Sequence, residues 1–251
     1  MKHYNIEIYY PPRDLDKTLE DRLNAAHKLL LSAGEIDPLL LPEKWLVATG
    51  DMDSSFLYPA FENGNAGTSL IAYYKELYRT KAPTRPRTCT LWNGETEEGK
   101  GASLSIRYNR PQDGLENLSL ALDDIERWGK LEAAVNFIKA CVGLYSPRTL
   151  FFQPTGYQPV FPDKPPVGWM VYLPRVLSPS MVPEARRLEP VMAASGQRLG
   201  TIIVSTSEDI FDVDNQEHLK IAHDIEIRLV DQDILPRFPK LEFASPGSAA
   251  R

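Results

Sequence analysis

Two carboxylates stand two residues apart in a short polar loop, Asp51 and Asp53 in TGDMDSS, directly before Ser54 and Ser55. Carboxylates and hydroxyls so close together could hold a hard cation, or divide the roles of acid and base between them. The same residue types beside Gly50 are also turn formers that bond their own backbone, and no second carboxylate cluster accompanies them. The histidines are His3, His27, His218 and His223. The last two are five apart on a predicted helix, which turns them about 140° from each other, whereas a helical metal clip needs ligands at i and i+4. Cys89 and Cys141 form no CxxC pair, and no GxSxG, P-loop or helix-opening GxGxxG occurs. The sequence therefore predicts no metal, no cofactor and no catalytic residue. An enzyme would have to rely on Asp51 and Asp53.

What remains is surface chemistry. NGETEEGKG carries Glu95, Glu97 and Glu98, and SEDIFDVDNQE carries Glu208, Asp209, Asp212, Asp214 and Glu217 around Phe211 and Val213. Read as binding surfaces, Glu95, Glu97 and Glu98 form one acidic patch, and Asp209 and Asp212 form a second around Phe211 as an exposed aromatic anchor, because charge speeds encounter and a buried aromatic lengthens residence. Read as local structure, carboxylates ahead of a helix favour its N-terminal dipole, and Phe211 packs back onto the helix as a staple.

The elements that must position these loops follow from periodicity. Ile6, Ile8 and Tyr10 alternate with polar residues as a first strand closed by Pro11 and Pro12. A helix then starts at Asp14 and carries Leu15, Leu19, Leu23, Ala26, Leu30 and Ala33 up to Gly34. Trp45 to Phe61 is loop-like, and Thr68 or Ser69 caps a helix using Leu70, Tyr73, Tyr74 and Leu77. Thr88 to Trp92, Ala102 to Tyr108 and Leu115 to Leu122 are strands joined by turn-rich segments. A helix from Trp128 to Tyr145 places Leu131, Val135, Ile138, Cys141 and Val142 on one face, so Cys141 belongs to the core. Val171 to Leu173 and Ile202 to Val204 are further strands. A last helix, capped by Asp214 with Glu217, buries Leu219, Ala222, Ile225, Leu229 and Val230. Glu226 falls inside that apolar arc, either as a buried catalytic carboxylate or, as we favour, with its head reaching solvent, His223 or a backbone amide.

Strands in runs followed by helices predict an α+β fold of largely antiparallel sheets, with amphipathic helices on one face and a duplicated, two-half arrangement. Five prolines between Gln153 and Pro166 mark a connection. The expected organisation is an N-terminal half over 1–152, the connection 153–166, a C-terminal half over 167–240 and a flexible tail over 241–251. At 251 residues and 43% apolar content the chain can bury a sizeable core. A formal charge of -6 argues against direct nucleic-acid binding and suits a basic partner. Two cysteines, no secretory apolar core and no membrane-length run lead to the expectation of a cytoplasmic protein without membrane association.

GWMVYLP, then GTIIVST, then an acidic helix containing NQEHLKIAHDIEIRL and ending in LP, together with WLVATGDMDSSFLYPAF, resemble the immunity protein fifty-two family of bacterial polymorphic toxin and type VI secretion systems. The resemblance covers about a third of the chain. It implies a pseudomonad immunity protein whose partner is a nuclease toxin of the restriction-endonuclease-like type, bound stoichiometrically and without turnover. Occlusion of the toxin's active site and binding at an exosite are both compatible with it. The rival reading is a small hydrolase or nucleic-acid-processing enzyme using the Asp51 loop, and a third is a structural module of a larger assembly.

Overall fold

A computed structural model describes residues 2–12, 18–82, 85–109 and 114–238. The expected helix start at Asp14 and Leu15 and the tail over 241–251 lie outside these residues. The elements run β1 (Tyr4–Tyr10), α1 (Leu19–Gly34), β2 (Leu46–Val47), α2 (Met52–Ser55), β3 (Phe61–Glu62), β4 (Asn65–Ala66), α3 (Thr68–Leu77), β5 (Arg87–Trp92), β6 (Ala102–Tyr108) and β7 (Glu116–Leu122). They continue with α4 (Leu131–Tyr145), β8 (Thr149–Pro154), β9 (Met170–Leu173), β10 (Arg187–Met192), β11 (Arg198–Val204) and α5 (Gln216–Asp231). Nine strands make one antiparallel sheet in the order β10-β11-β9-β8-β1-β7-β6-β5-β2, and β3 and β4 form a small separate hairpin. The fold is α+β.

This sheet runs without a break across the expected boundary at 153–166, because β8 pairs with β1 on one side and β9 on the other. The two sides are not copies of each other. Next to β1 stands β7, the last strand before α4, whereas next to β8 stands β9, the first strand after the proline-rich segment.

Pairing register lines up the side chains. Cys89, Ile106, Leu118, Ile8, Leu150, Tyr172 and Ile202 occupy one row across the sheet. All are buried, against a layer containing α4, whose Tyr145 ring lies 4.8 Å from Tyr10. The neighbouring row on the opposite face reads Thr90, Ser105, Ser119, Glu7, Phe151, Val171 and Ile203. It changes from polar to apolar at β8, and there Phe151, Val171 and Ile203 are buried again. α5 and the residues after it close this second face, with Phe238 packing on Tyr9 and Phe151. The helices thus divide between both faces rather than sharing one, since strands apolar on both sides need a cover on each.

Local chemistry explains the element ends. Thr18 caps α1 through a reciprocal box with Asp21. Trp128 belongs to a short 3-10 turn, Ile125–Trp128, which Gly129 ends at a φ of 65°, so α4 begins at Leu131 rather than Trp128. Asn215, not Asp214, caps α5 by accepting from the amides of Glu217 and His218.

One buried ion pair ties α1 to β7. Arg22 donates from Nε to Glu116 Oε2 at 2.8 Å and from its second nitrogen to the other oxygen, and the two residues are only 8% and 1% exposed. The guanidinium also stacks over Tyr108, 4.9 Å from the ring centre. Glu116→Ala is expected to lower the unfolding free energy by about 3 kcal/mol, because it removes the carboxylate that neutralises a buried guanidinium. Arg22→Met with Glu116→Leu should recover most of it. Urea midpoints measure both, and a single variant as stable as the parent would show that the pair contributes nothing.

Candidate protein interface

One end of the sheet collects loops that are far apart in sequence. Trp92 ends β5 opposite Ser103 near the start of β6, Ala102 faces Leu122 at the end of β7, and Leu122 faces Tyr4 at the start of β1. Tyr4 in turn faces Pro154 at the end of β8, and Val204 ends β11 opposite Met170 at the start of β9. The loops 93–101, 123–130 and 205–215 therefore emerge at the same end, spread over six strand spacings, about 29 Å. They hold ten Asp and Glu residues against three Lys and Arg, a net of -7 compared with -6 for the whole chain. The formal negative charge of the protein is concentrated here.

Glu95, Glu97 and Glu98 lie on the β5–β6 loop, with Glu97 and Glu98 exposed and Glu95 half-buried. Lys100 pairs with Glu97 at 2.7 Å. Arg127, held 2.8 Å from Asp37, also donates to the carbonyl of Gly99, which fixes the base of this loop. Asp209 is exposed on the loop between β11 and α5. Asp212 is half-buried and accepts from the amide of Asp214 at 2.9 Å, with Lys2 3.3 Å away. That amide and then Lys2 hold its carboxyl below the usual range. Glu98 and Asp209 have no ion pair among the described residues and remain available to a partner. Of the predicted acidic residues, Glu97 and Asp212 are thus engaged locally, Glu95 is half-buried, and Glu98 and Asp209 project.

Phe211 corrects the expectation of an exposed anchor. It is 0% exposed, packed 5.7 Å from the Tyr157 ring and 5.6 Å from His218, and its carbonyl accepts from the Tyr4 hydroxyl. An aromatic side chain flanked by carboxylates in sequence has been folded inward, because the sheet end supplies an apolar recess that water cannot match. Its role is to hold the acidic loop on the core.

Asp51 caps α2, accepting from the Ser54 amide at 2.8 Å. Hydrogen bonding from Ser54 keeps its carboxyl below the usual range. Asp53 is exposed on the same turn. Thr49 and Ser55 complete the turn with a hydroxyl contact of 2.9 Å. Turn chemistry accounts for Asp51, and no group of three or more His, Cys, Asp or Glu among the described residues is placed to share a metal ion.

The structure exposes an apolar turn that the charge pattern did not flag. Met52, Phe56, Leu57 and Tyr58 are 56%, 49%, 71% and 40% exposed, four of the ten exposed large apolar side chains among the described residues. Phe56 stands edge-on to Trp92 with ring centres 5.3 Å apart. The signal was present as FLYP after the Asp51 loop, an apolar run beside a turn with no helical or strand period to bury it.

Glu226 is 1% exposed, and its carboxylate accepts from the Tyr157 hydroxyl at 2.8 Å, the Val160 amide at 2.7 Å and the Val167 amide at 2.9 Å. The expected backbone contact exists and the expected solvent contact does not. His223 Nε2 lies 3.0 Å from the Gln158 carbonyl, so α5 grips the proline-rich segment at two points. Glu226 is a structural clasp.

No known protein family matches this chain, and no curated protein does. Among solved structures, a T6SS protein of Pseudomonas aeruginosa aligns loosely, with a TM-score of 0.48 and 11% identity over 90% of this chain and 76% of its own length. No helix among the described residues is long and apolar enough to cross a membrane.

Proposed function

We propose that the protein is an antidote of a type VI secretion system, which binds a nuclease toxin in the cytoplasm of the cell that makes both and blocks DNA cleavage stoichiometrically. The observation that carries this reading is the gathering of ten carboxylates from three distant loops at one end of the sheet. A groove that binds DNA is positive, so a surface that competes for it presents carboxylates where phosphates would lie, and the complementary potential speeds encounter. The segment resemblance to immunity protein fifty-two points to the same class of partner. The rival enzyme reading names Asp51 and Asp53, and helix capping gives the Asp51 carboxylate a local role that needs no catalysis.

The experiment is a titration of the toxin's DNA cleavage with purified protein. Loss of cleavage should be complete at one equivalent, and full protection at a small fraction of an equivalent would identify an enzyme instead. Reversing Glu95, Glu97, Glu98 and Asp209 to Lys is expected to slow association about tenfold or more at low salt. The difference should shrink near physiological ionic strength, where the screening length is about 8 Å. An unchanged association rate at low salt would remove the acidic end from the interface.

A further inference from the structure

We infer that the exposed turn Met52–Tyr58, seated on Trp92, is the apolar anchor by which the protein docks on its basic partner. This inference rests on the antidote reading above and names the part of the surface that fixes the complex once charge has brought the two proteins together.

Monomeric proteins scatter their exposed apolar side chains singly, and a contiguous group of them marks a contact surface. Here four of them fall within seven residues. The backbone of the turn is also held by hydrogen bonds. Asp51 caps it, the Ser55 hydroxyl donates to the Asp51 carbonyl at 2.9 Å, and the Val47 amide donates to the Tyr58 carbonyl at 3.0 Å. Preset aromatic side chains lose little freedom on binding, which is why they serve as hot spots.

Charge identifies the occupant. Trp92, against which Phe56 stands, is followed directly by the loop carrying Glu95, Glu97 and Glu98. Gly94 packs this loop against Leu46 of β2, where a Cβ would meet the Leu46 side chain at 3.0 Å. Asp51 caps the turn and Asp53 lies within it, both exposed. An apolar centre edged by carboxylates fits a basic protein surface with an apolar recess, and it disfavours nucleic acid or an anionic membrane. A second copy of this chain would set carboxylates against carboxylates.

The test pairs Phe56→Ser/Leu57→Ser with a control, Val176→Ser, at a residue 61% exposed elsewhere on the surface. The probe is the protein encoded by the gene next to this one, immobilised, with binding followed in real time and melting temperature checked for each variant. Expected is at least a hundredfold weaker complex for the double variant, mostly through faster dissociation, with the control and all melting temperatures close to the parent. If the parent binds and the double variant binds equally well, the anchor lies elsewhere while the antidote reading stands. If the parent does not bind at all, that reading falls and takes this one with it. Self-association of the parent that the double variant abolishes would make a second copy the occupant and overturn the inference.

Discussion

Glu226→Ala is expected to lower the unfolding free energy by about 3 kcal/mol at neutral pH, and Glu226→Gln by about a third of that. The carboxylate is the shared acceptor of three donors: the Tyr157 hydroxyl and the amides of Val160 and Val167. Alanine leaves Tyr157 and Val167 unpartnered in buried surroundings, where each orphan costs about 1–3 kcal/mol. Val160 is 38% exposed and can recruit water, which moderates the loss. Glutamine keeps one acceptor oxygen and turns an amide toward a donor, so its cost is smaller. Burial, opposed by these three donors and His223, still leaves the Glu226 pKa raised above its ordinary 4.5. A group that holds its proton more tightly when folded contributes stability that is fully present below its unfolded pKa and is lost as pH rises through the folded value. The parent should therefore lose a little stability as pH climbs above about 4.5, and Glu226→Gln should flatten that part of the profile. Urea unfolding across pH measures both effects, and equal midpoints for the alanine variant and the parent would mean the clasp is energetically empty.

Cys141→Asp should fail to fold, whereas Cys141→Ala should fold with a loss of about 1 kcal/mol. Cys141 is 0% exposed in the middle of α4, and burial already pushes its thiol pKa well up. A carboxylate placed there must either stay charged in an apolar core or take up a proton at a cost. Either choice consumes several kcal/mol of a total stability of about 5–15. Alanine removes one sulfur atom and leaves a small cavity. Circular dichroism and solubility separate the two outcomes, and a soluble, cooperatively melting Cys141→Asp protein would contradict the burial of this helix face.

That face was legible because helical periodicity is a property of neighbouring residues, and the same holds for β1, β5, β6 and β7, whose alternation is intact. β8 was missed because TLFFQP is buried nearly throughout and carries no alternation. β10 was missed because an edge strand with Arg187, Glu189 and Pro190 reads as a loop, although those residues suit an edge that must not pair with a neighbour. The cap of α5 moved by one residue because Asp214 and Asn215 are both good caps, and only the backbone geometry selects Asn215. The backbone contact of Glu226 was foreseen but its full burial was not, because its partners lie 59 to 69 positions earlier, on a stretch that no local pattern ties to the helix. The candidate interface shows the same division. Two of the three acidic loops stand out in the sequence and the short 123–130 loop does not, and their convergence at one end follows from β1 standing between β7 and β8. The inward turn of Phe211 depends on Tyr157 and Tyr4, which no nearby residue announces.

That central place of β1 has a consequence for how the protein is made. Glu7 of β1 and its partner Asn117 of β7 are 110 positions apart. At roughly 5–20 residues per second of synthesis, about 5 to 20 s pass between the emergence of the two, and longer before β8 can take the other side. Throughout that interval β1 is a strand with both edges open. A lesion that delays β7 or β8 prolongs its exposure, and neighbouring nascent chains carry the same strand, ready to pair with it.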